Sequence, residues 1–178
     1  MRVVAGSRKG RRIEAPKGVV TRPTSDRVRE AIFAILGSVE RARVLDLFAG
    51  SGALGIEALS RGARSCLFVE RDPRACRVIE RNLERLGLDE LSVVRCADVA
   101  RALRGEAASG RTYDLVLADA PYEEWRRREP VLAELVPRVL ADGARVVVET
   151  AADVEPALPL DLVTTRRYGS ARVTVLET

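Results

Sequence analysis

One short segment of the sequence joins a carboxylate, a stiffened backbone and an aromatic ring: Asp119-Ala120-Pro121-Tyr122. It follows the apolar run Tyr113–Ala118, which is predicted to be a buried strand. Asp119 can accept a hydrogen bond from an exocyclic amine, the carbonyl of Ala120 can accept another, and Tyr122 can stack on a base. Such acceptors would orient the nitrogen lone pair toward an electrophile, so the segment is predicted to be catalytic. The alternative interpretation is a strand that ends in an ordinary turn.

A glycine-rich loop lies about 70 residues upstream, between the predicted strand Arg43–Leu47 and a helix that is predicted to end near Arg61. Gly50, Gly52 and Gly55 fit the GxGxxG pattern, in which glycines let a ligand approach the backbone beside the positive end of a helix. Taken alone, the pattern fits both NAD and S-adenosylmethionine, and a glycine turn without a ligand is a third possibility.

Three carboxylates lie in or just after predicted parallel strands, where they would face one crevice. Glu70 ends the predicted strand Ser65–Glu70 and can accept hydrogen bonds from both hydroxyls of a ribose. Asp98 can accept from an exocyclic adenine amine, cap the next helix, or do both. Asp46 directly precedes the glycine loop, where a carboxylate would repel a pyrophosphate but attract the amino group and sulfonium of S-adenosylmethionine. This charge argument favours S-adenosylmethionine.

The composition excludes several chemistries. The 178 residues contain no histidine, which rules out Ser/His triads, Cys/His nucleophile pairs and His-ligated metals. Cys66, Cys76 and Cys96 are far apart and lack CxxC spacing, so we expect buried thiols in a reducing cytoplasm rather than a disulfide or zinc site. Since no apolar run is long enough for a membrane span and no secretory signal is visible, we expect a cytoplasmic protein without a membrane partner.

The basic residues are concentrated at the N-terminus. The first 30 residues carry a net charge of +6, whereas the other 148 carry −2. This asymmetry points to a polyanion, most often a nucleic acid. We therefore expect a basic extension over residues 1–23, in which Arg2–Val4 and Arg11–Glu14 form a hairpin, followed by a main domain over residues 24–178. The candidate phosphate contacts, whose alternative is a solvated basic surface, are Arg2, Arg8, Lys9, Arg11, Arg12, Arg22 and, after the tetrad, Arg126.

Short apolar strands alternate with helical patterns from residue 43 onward, which predicts an α/β fold with a mainly parallel seven-stranded sheet and helices on both faces. The strands Leu162–Tyr168 and Ala171–Leu176 flank Gly169-Ser170 and are predicted to close the sheet as an antiparallel hairpin. The other predicted features are a helix capped by Thr24 or Ser25, a helix after Asp72-Pro73, a strand over Leu91–Cys96, a helix over residues 99–104, a loop over Gly105–Arg111, a helix over residues 131–140, and a turn at Asp142-Gly143 into the strand Ala144–Glu149.

Together, the glycine loop, the three carboxylates and the tetrad resemble class I S-adenosylmethionine-dependent methyltransferases. The tetrad resembles the [D/N]PP[Y/F] motif of members that methylate adenine N6, guanine N2 or glutamine. The resemblance implies a Rossmann-like fold, S-adenosylhomocysteine as a product and no metal. It also implies a set of cofactor-binding residues: Asp46, Phe48, Ala49, Gly50, Gly52, Glu70, Arg71, Asp98 and Val99.

The segment Thr21–Phe33, with Arg2–Gly6 before it, is similar to the RsmD family of small-subunit ribosomal RNA guanine-N2 methyltransferases. This resemblance covers nearly the whole chain. It implies methyl transfer to guanine N2 in 16S rRNA, either free or in a small subunit, and leaves the oligomeric state open, with a monomer as the simplest expectation. The sequence departs from the family at Ala120, where proline is usual, so we expect a less rigid backbone there.

Three other functions remain as alternatives. An adenine-N6 DNA or RNA methyltransferase shares the tetrad, but such DNA enzymes usually carry a separate target-recognition domain, for which 178 residues leave no room. A non-catalytic RNA-binding assembly factor with this fold would have no need of Asp119 and Tyr122. NAD-dependent oxidoreduction is opposed by Asp46 and by the C-terminal hairpin.

Overall fold

The computed structural model describes residues 1–16 and 26–178. Of Tyr122 it describes the backbone but not the side chain. Within the described residues a seven-stranded sheet carries helices on both faces. The strands are β1 (Arg43–Leu47), β2 (Ser65–Glu70), β3 (Ser92–Cys96), β4 (Tyr113–Asp119), β5 (Leu140–Ala151), β6 (Asp161–Tyr168) and β7 (Ala171–Glu177). The helices are α1 (Asp26–Leu36), α2 (Ala53–Ser60), α3 (Pro73–Leu86), α4 (Val99–Ala108) and α5 (Tyr122–Leu135).

The strand order is β3-β2-β1-β4-β5-β7-β6. Strands β1 to β5 run parallel to one another, while β7 pairs antiparallel with both β5 and β6. The predicted parallel sheet and its antiparallel C-terminal hairpin are therefore confirmed. The order reverses at β1, so the carboxyl ends of β1, β2 and β4 meet at one edge, where open α/β sheets form their ligand crevices.

Two hydrophobic cores cover the two faces. One packs α1, α2 and α3 on the sheet, and the other packs α4 and α5. Asp72 caps α3 by accepting a hydrogen bond from Arg74 N at 2.8 Å, and Gly87 ends that helix in the left-handed conformation. The predicted cap and stop of α3 are thus confirmed. Thr24 and Ser25, predicted to cap α1, lie outside the described residues.

Three predicted boundaries were wrong. Helix α4 continues to Ala108 instead of giving way to a loop at Gly105, because the buried Glu106 anchors its last turn. Helix α5 begins at Tyr122 and contains Pro130, since burial of Trp125 outweighs the one backbone hydrogen bond that the proline removes. Asp142-Gly143 lies inside β5, beside an irregular register, and is not a turn that precedes the strand.

Residues 1–16, which we call the arm, form a short antiparallel ladder and pack against the rest of the domain. Val3 N donates to Arg11 O at 2.9 Å, and Gly10 N donates to Val3 O at 2.8 Å. A single antiparallel bridge joins Arg2 to Arg12. This short ladder brings Val3 and Ile13 onto the core of α1, α2 and α3, where each is at most 2% exposed.

A buried carboxylate on α2 holds this N-terminal arm in place. Glu57 accepts hydrogen bonds from Val4 N at 2.8 Å and Ala5 N at 2.9 Å. It also forms ion pairs with Arg29, at 3.6 Å, and Arg61, at 2.8 Å. Because the charge of Glu57 is compensated by these partners, it can remain buried while it fixes the arm.

None of the helices formed by residues 1–16 and 26–178 has the length and apolar character needed to cross a bilayer.

We expect Gly6→Ala to undock the arm, because a Cβ at Gly6 would overlap the backbone carbonyl of Ser60 on α2. Gly10→Ala is the matched control, since Gly10 has the same φ of +80° but open space around its Cα. Both substitutions carry a backbone cost of about 1 kcal/mol. Gly6→Ala should lose roughly 1–3 kcal/mol more in urea unfolding and expose residues 1–16 to protease. Equal losses in the two variants would show that the arm is not tightly docked.

Glu106 should contribute a pH-dependent part of the stability. Burial opposes its charge, but hydrogen bonds from Arg111, Tyr113 and Arg95 prevail and lower its pKa from 4.5 to about 2. The stabilisation is therefore present above pH 4.5 and disappears as the pH falls toward 2. Glu106→Gln should lower the free energy of unfolding at pH 7 by roughly 1–3 kcal/mol and flatten its decline below pH 4.5. The exposed Glu90→Gln serves as the control and should reproduce the wild-type pH profile.

Candidate functional site

A cavity of about 180 Å³ opens at the carboxyl ends of the parallel strands. It brings together the ends of β2, β3 and β4, the glycine loop after β1 and the first turns of α3 and α5. Its lining residues are Phe48, Gly50, Glu70, Arg71, Asp72, Ala75, Asp98, Val99, Asp119, Pro121, Glu124 and Arg128. Eight of these were candidates from the sequence, so the fold joins the two strongest sequence signals in one site.

The buried Asp46 holds the glycine loop in place through a hydrogen bond to the start of α2. Its Oδ2 accepts a hydrogen bond from Gly55 N in the first turn of α2, at 2.9 Å, and the residue is only 1% exposed. Gly52 adopts φ +78°, a conformation that favours glycine, at the start of the same helix. Asp46 therefore lies behind the loop and fixes its shape.

Phe48 and Ala49 connect Asp46 to the glycines. Phe48 lines the cavity with φ +58°, which is an uncommon backbone conformation for a side chain of its size. Ala49 is buried, and its N–H donates to Val69 O at 3.1 Å, which ties the loop to β2. Such strained residues collect at ligand sites when the surrounding structure fixes them.

Glu70 ties the glycine loop to the start of α3. Its Oε2 accepts a hydrogen bond from Gly50 N at 2.9 Å. Its Oε1 accepts from Arg71 N at 2.8 Å and from Asp72 N at 2.9 Å. A carboxylate has about four acceptor positions, so about one remains for a ligand hydroxyl. The sequence indicated a ribose ligand for Glu70 and gave no sign of this internal role.

Negative charge accumulates around the cavity. Burial raises the pKa of Asp46 well above its ordinary range, the hydrogen bond from Gly55 opposes this, and the charges of Asp119 and Glu70 raise the pKa further. The three carboxyl groups therefore influence one another across the site. A cation placed among them would relieve this repulsion, whereas an anion would increase it.

Two ion pairs connect α5 with the opposite side of the cavity. Arg128 donates to Asp98 at 2.8 Å, and Arg71 donates to Glu124 at 2.5 Å. Burial acts against the charge of Asp98, but the hydrogen bond from Ala100 N and the charge of Arg128 lower its pKa. Asp98 is thus a helix cap, as predicted, and also part of the cavity wall.

Four cavity residues were not predicted from the sequence: Asp72, Ala75, Glu124 and Arg128. Glu124 and Arg128 lie four residues apart on α5, with 3.7 Å between Arg128 Nε and Glu124 Oε2. Their i, i+4 spacing directly after the tetrad was the available signal. Without the tertiary structure, that signal could not be distinguished from an ordinary pair on a solvated helix.

The tetrad forms the junction between β4 and α5. Asp119 and Pro121 line the cavity, while Ala120 is 1% exposed and packs in the core. The Pro121 carbonyl accepts a hydrogen bond from Glu124 N at 2.8 Å, so the tetrad is continuous with the first turn of the helix. Tyr122 is the first residue of α5, and its side chain is outside the described part of the structure.

Several arginines of the arm make contacts within the protein. Arg8 Nε donates to Leu86 O at 2.5 Å, and Arg11 donates to Arg85 O at 3.2 Å, so both bind carbonyls at the end of α3. Arg2 donates to Gly10 O at 2.8 Å within the arm itself. The other candidate phosphate contacts divide into those with exposed side chains, Lys9, Arg12 and Arg126, and Arg22, which lies outside the described residues.

Comparisons with known proteins agree with this geometry. A family model described as "Conserved hypothetical protein 95" matches residues 1–177. "Putative rRNA methyltransferase YlbH" of Bacillus subtilis is 40% identical over 179 residues, which cover 98% of this chain and 97% of that protein. "Ribosomal RNA small subunit methyltransferase D" of Escherichia coli K12 is 36% identical over 160 residues, covering 89% of this chain and 78% of that protein.

A solved structure shows the same fold. "Putative methyltransferase yhhF" from Escherichia coli superimposes with a TM-score of 0.83 and 28% identity, covering 99% of this chain and 97% of that one. The sheet order, the glycine loop and the tetrad at the end of β4 follow the class I methyltransferase architecture. With the matches of the family model and of the two relatives over most of its length, the chain belongs to the "Conserved hypothetical protein 95" family, the RsmD family that its motifs resemble.

Proposed function

We propose that this protein transfers a methyl group from S-adenosylmethionine to the exocyclic N2 of a guanine in small-subunit ribosomal RNA. The observation that carries the proposal is that Asp119 and Pro121 line the same cavity as the glycine loop and Glu70. The names of the Bacillus subtilis and Escherichia coli relatives support an rRNA substrate. The choice of guanine N2 rests on the resemblance of residues 21–33 to the RsmD family.

The residues of the cavity fit S-adenosylmethionine. Glu70 has an acceptor position for a ribose hydroxyl, and Asp98 can accept from an adenine amine while it caps α4. The mutual repulsion of Asp46, Glu70 and Asp119 suits a ligand with a cationic amino group and sulfonium. When bound, the cofactor supplies an electrophilic methyl group on a positively charged sulfur. A nicotinamide dinucleotide would instead bring a pyrophosphate to this acidic edge.

Asp119 is the residue to which we assign the orientation of the target amine. The lone pair of a guanine amine is delocalised into the ring, so the amine is a weak nucleophile and depends on positioning at about 3–3.5 Å. A carboxylate that accepts one amine hydrogen directs the nitrogen and stabilises the positive charge that develops on it. Because the proton can leave after the transfer, Asp119 does not need to be a strong base.

Access to the cavity restricts the substrate to an exposed guanine. A base inside a duplex cannot reach Asp119, so the target guanine must lie in a loop or be flipped out of its helix. Tyr122, at the start of α5, is placed in sequence to stack on that base and to offset roughly 1–3 kcal/mol of lost stacking. The exposed Arg12 and Lys9 of the arm are available for phosphates. We place this reaction in the cytoplasm, the compartment expected from the cysteine spacing. Cys66 and Cys76 are buried, as expected, whereas Cys96 is exposed.

The substrate can be tested with labelled S-adenosylmethionine and three acceptors from a strain that lacks the modification: small subunits, naked 16S rRNA and DNA. We expect label in one or both of the rRNA-containing acceptors, recovered as N2-methylguanosine after digestion. Label in DNA alone, or recovered as N6-methyladenosine, would favour the adenine-N6 alternative. Absence of label from all three acceptors would favour a non-catalytic RNA-binding factor.

Asp119→Ala should abolish methyl transfer, with a loss of about 100-fold or more, because the amine loses its acceptor. Binding of S-adenosylhomocysteine should remain, since the other cavity carboxylates are unchanged. Single-turnover transfer and calorimetric titration measure the two properties separately. Asp153→Ala removes an exposed carboxylate and should behave as the wild type. Normal turnover of Asp119→Ala would remove the role assigned to Asp119.

Glu70→Gln should weaken binding of S-adenosylhomocysteine by roughly tenfold or more. An amide places an NH₂ group against one of the backbone N–H donors of the loop, which leaves a donor unsatisfied at a cost of about 1–3 kcal/mol. Glu84→Gln on the exposed face of α3 is the matched control. Titration calorimetry with S-adenosylhomocysteine checks the difference, and equal affinities would show that the bonds of Glu70 do not shape the cofactor site.

A further inference from the structure

Helix α3 carries a row of four arginines. The outer two pair with Asp72 of the cavity wall and with Glu14 of the arm, whereas the middle two have no such partner among the described residues. Arg74, Arg77, Arg81 and Arg85 follow one another at intervals of three, four and four residues, and all four are exposed. At 3.6 residues per turn, this spacing confines them to an arc of about 80° and a length of about 16 Å. We call this row the arginine ridge.

The ridge connects the arm to the cavity. At one end, Arg85 donates to Arg12 O at 2.8 Å and pairs with Glu14 at 2.5 Å, so this end adjoins the arm. At the other end, Arg74 lies between Asp72 and Ala75, both of which line the cavity. The ridge is therefore a positively charged path from the basic arm to the place where Asp119 meets its substrate.

The middle of the ridge is not neutralised within the protein. No carboxylate of residues 1–16 or 26–178 lies within ion-pair distance of Arg77 or Arg81. The acidic residues of the exposed face, Glu80 and Glu84, lie along the edge away from the arm, by the same helical geometry. The ridge and the acidic edge thus form separate stripes.

Helix stability does not account for the arrangement. Arg77 and Arg81, and likewise Arg81 and Arg85, are like charges at i and i+4, each pair costing about 0.2–0.5 kcal/mol. Arg74 also lies in the first turn of α3, where the helix dipole disfavours cations. Arginine-rich coding would explain the residue type but not its confinement to one side of the exposed face. A row of positive charge on one side of an exposed helix face is complementary to a negatively charged ligand, so it indicates an anionic ligand that runs along the helix.

We propose that the arginine ridge binds the sugar–phosphate backbone of the rRNA strand that carries the target guanine, between the arm and the cavity. This inference rests on the proposed function, because it takes rRNA as the substrate. The ridge aligns the strand by contacts to phosphates, which set register and orientation without reading bases. Recognition of the guanine itself stays with Asp119 and the other residues of the cavity.

The test uses the full chain with the double substitution Arg77→Gln and Arg81→Gln, and transcribed 16S rRNA as the probe. Each lost phosphate contact reduces the magnitude of the negative slope of log affinity against log salt by about 0.7–0.9. We therefore expect the slope of the double variant to be shallower by roughly 1.5. Affinity near 0.1 M salt should fall several-fold to tenfold. The thermal midpoint should not fall, because the substitutions remove a repulsive pair from an exposed surface.

The matched control is the double substitution Arg166→Gln and Arg167→Gln on β6, which removes the same charge at the far edge of the sheet. We expect the control to keep the wild-type slope and affinity. If the two double variants show equal slopes while the wild-type protein methylates rRNA, the proposed role of the ridge is overturned and the proposed function stands. Loss of affinity for assembled subunits but not for naked rRNA would also overturn it, because the ridge would then contact a ribosomal protein. Wild-type protein that methylates no rRNA would contradict the proposed function.

Discussion

The cavity depends on two carboxylates that are held by backbone N–H groups, the buried Asp46 and the half-buried Glu70. Asp46 binds Gly55 N behind the glycine loop, and Glu70 binds Gly50 N from the neighbouring strand. Together these bonds fix the loop between β1 and α2 and leave a concave acidic edge at the reversal of strand order. Burial raises the pKa of Asp46, and the charges of Asp119 and Glu70 raise it further, so a cationic cofactor would relieve the repulsion among these groups.

A second buried carboxylate connects the N-terminus to this site. Glu57 on α2 binds the backbone of Val4 and Ala5, and α2 itself begins at the glycine loop. The arm is therefore anchored to the helix that also shapes the cavity. Arg8 and Arg11 bind the C-terminal carbonyls of α3, which the helix dipole favours. Part of the basic charge of the arm hence serves docking, and the exposed remainder is available to RNA.

The proposed separation of cofactor binding from RNA binding follows from the positions of the negative and positive charges. At the cavity, Asp46 and Glu70 bind backbone N–H groups, while the rim carboxylates Glu124 and Asp98 pair with Arg71 and Arg128. Along α3, Arg77 and Arg81 form no ion pair with a carboxylate of residues 1–16 or 26–178. A cationic cofactor and an anionic nucleic acid would satisfy the two regions separately. The small net charge of the chain conceals this separation, because charges of opposite sign lie in different places.

Sequence alone determined the order of strands and helices, the closing hairpin and most of the cavity residues, because these depend on local periodicity, glycines and the ends of parallel strands. It misjudged α4, α5 and β5, where burial of Glu106 and Trp125 and pairing to β4 outweigh the local signals of Gly105, Pro130 and Asp142-Gly143. Only the tertiary structure decided which partner each charged side chain has. Asp46 and Glu70 accept hydrogen bonds from backbone N–H groups, and Arg128 lines the cavity. The exposed arginines of α3 lie between the arm and the cavity. The bonds Asp46–Gly55, Glu70–Gly50 and Arg128–Asp98 join residues that are not neighbours in sequence, so no local pattern could specify them.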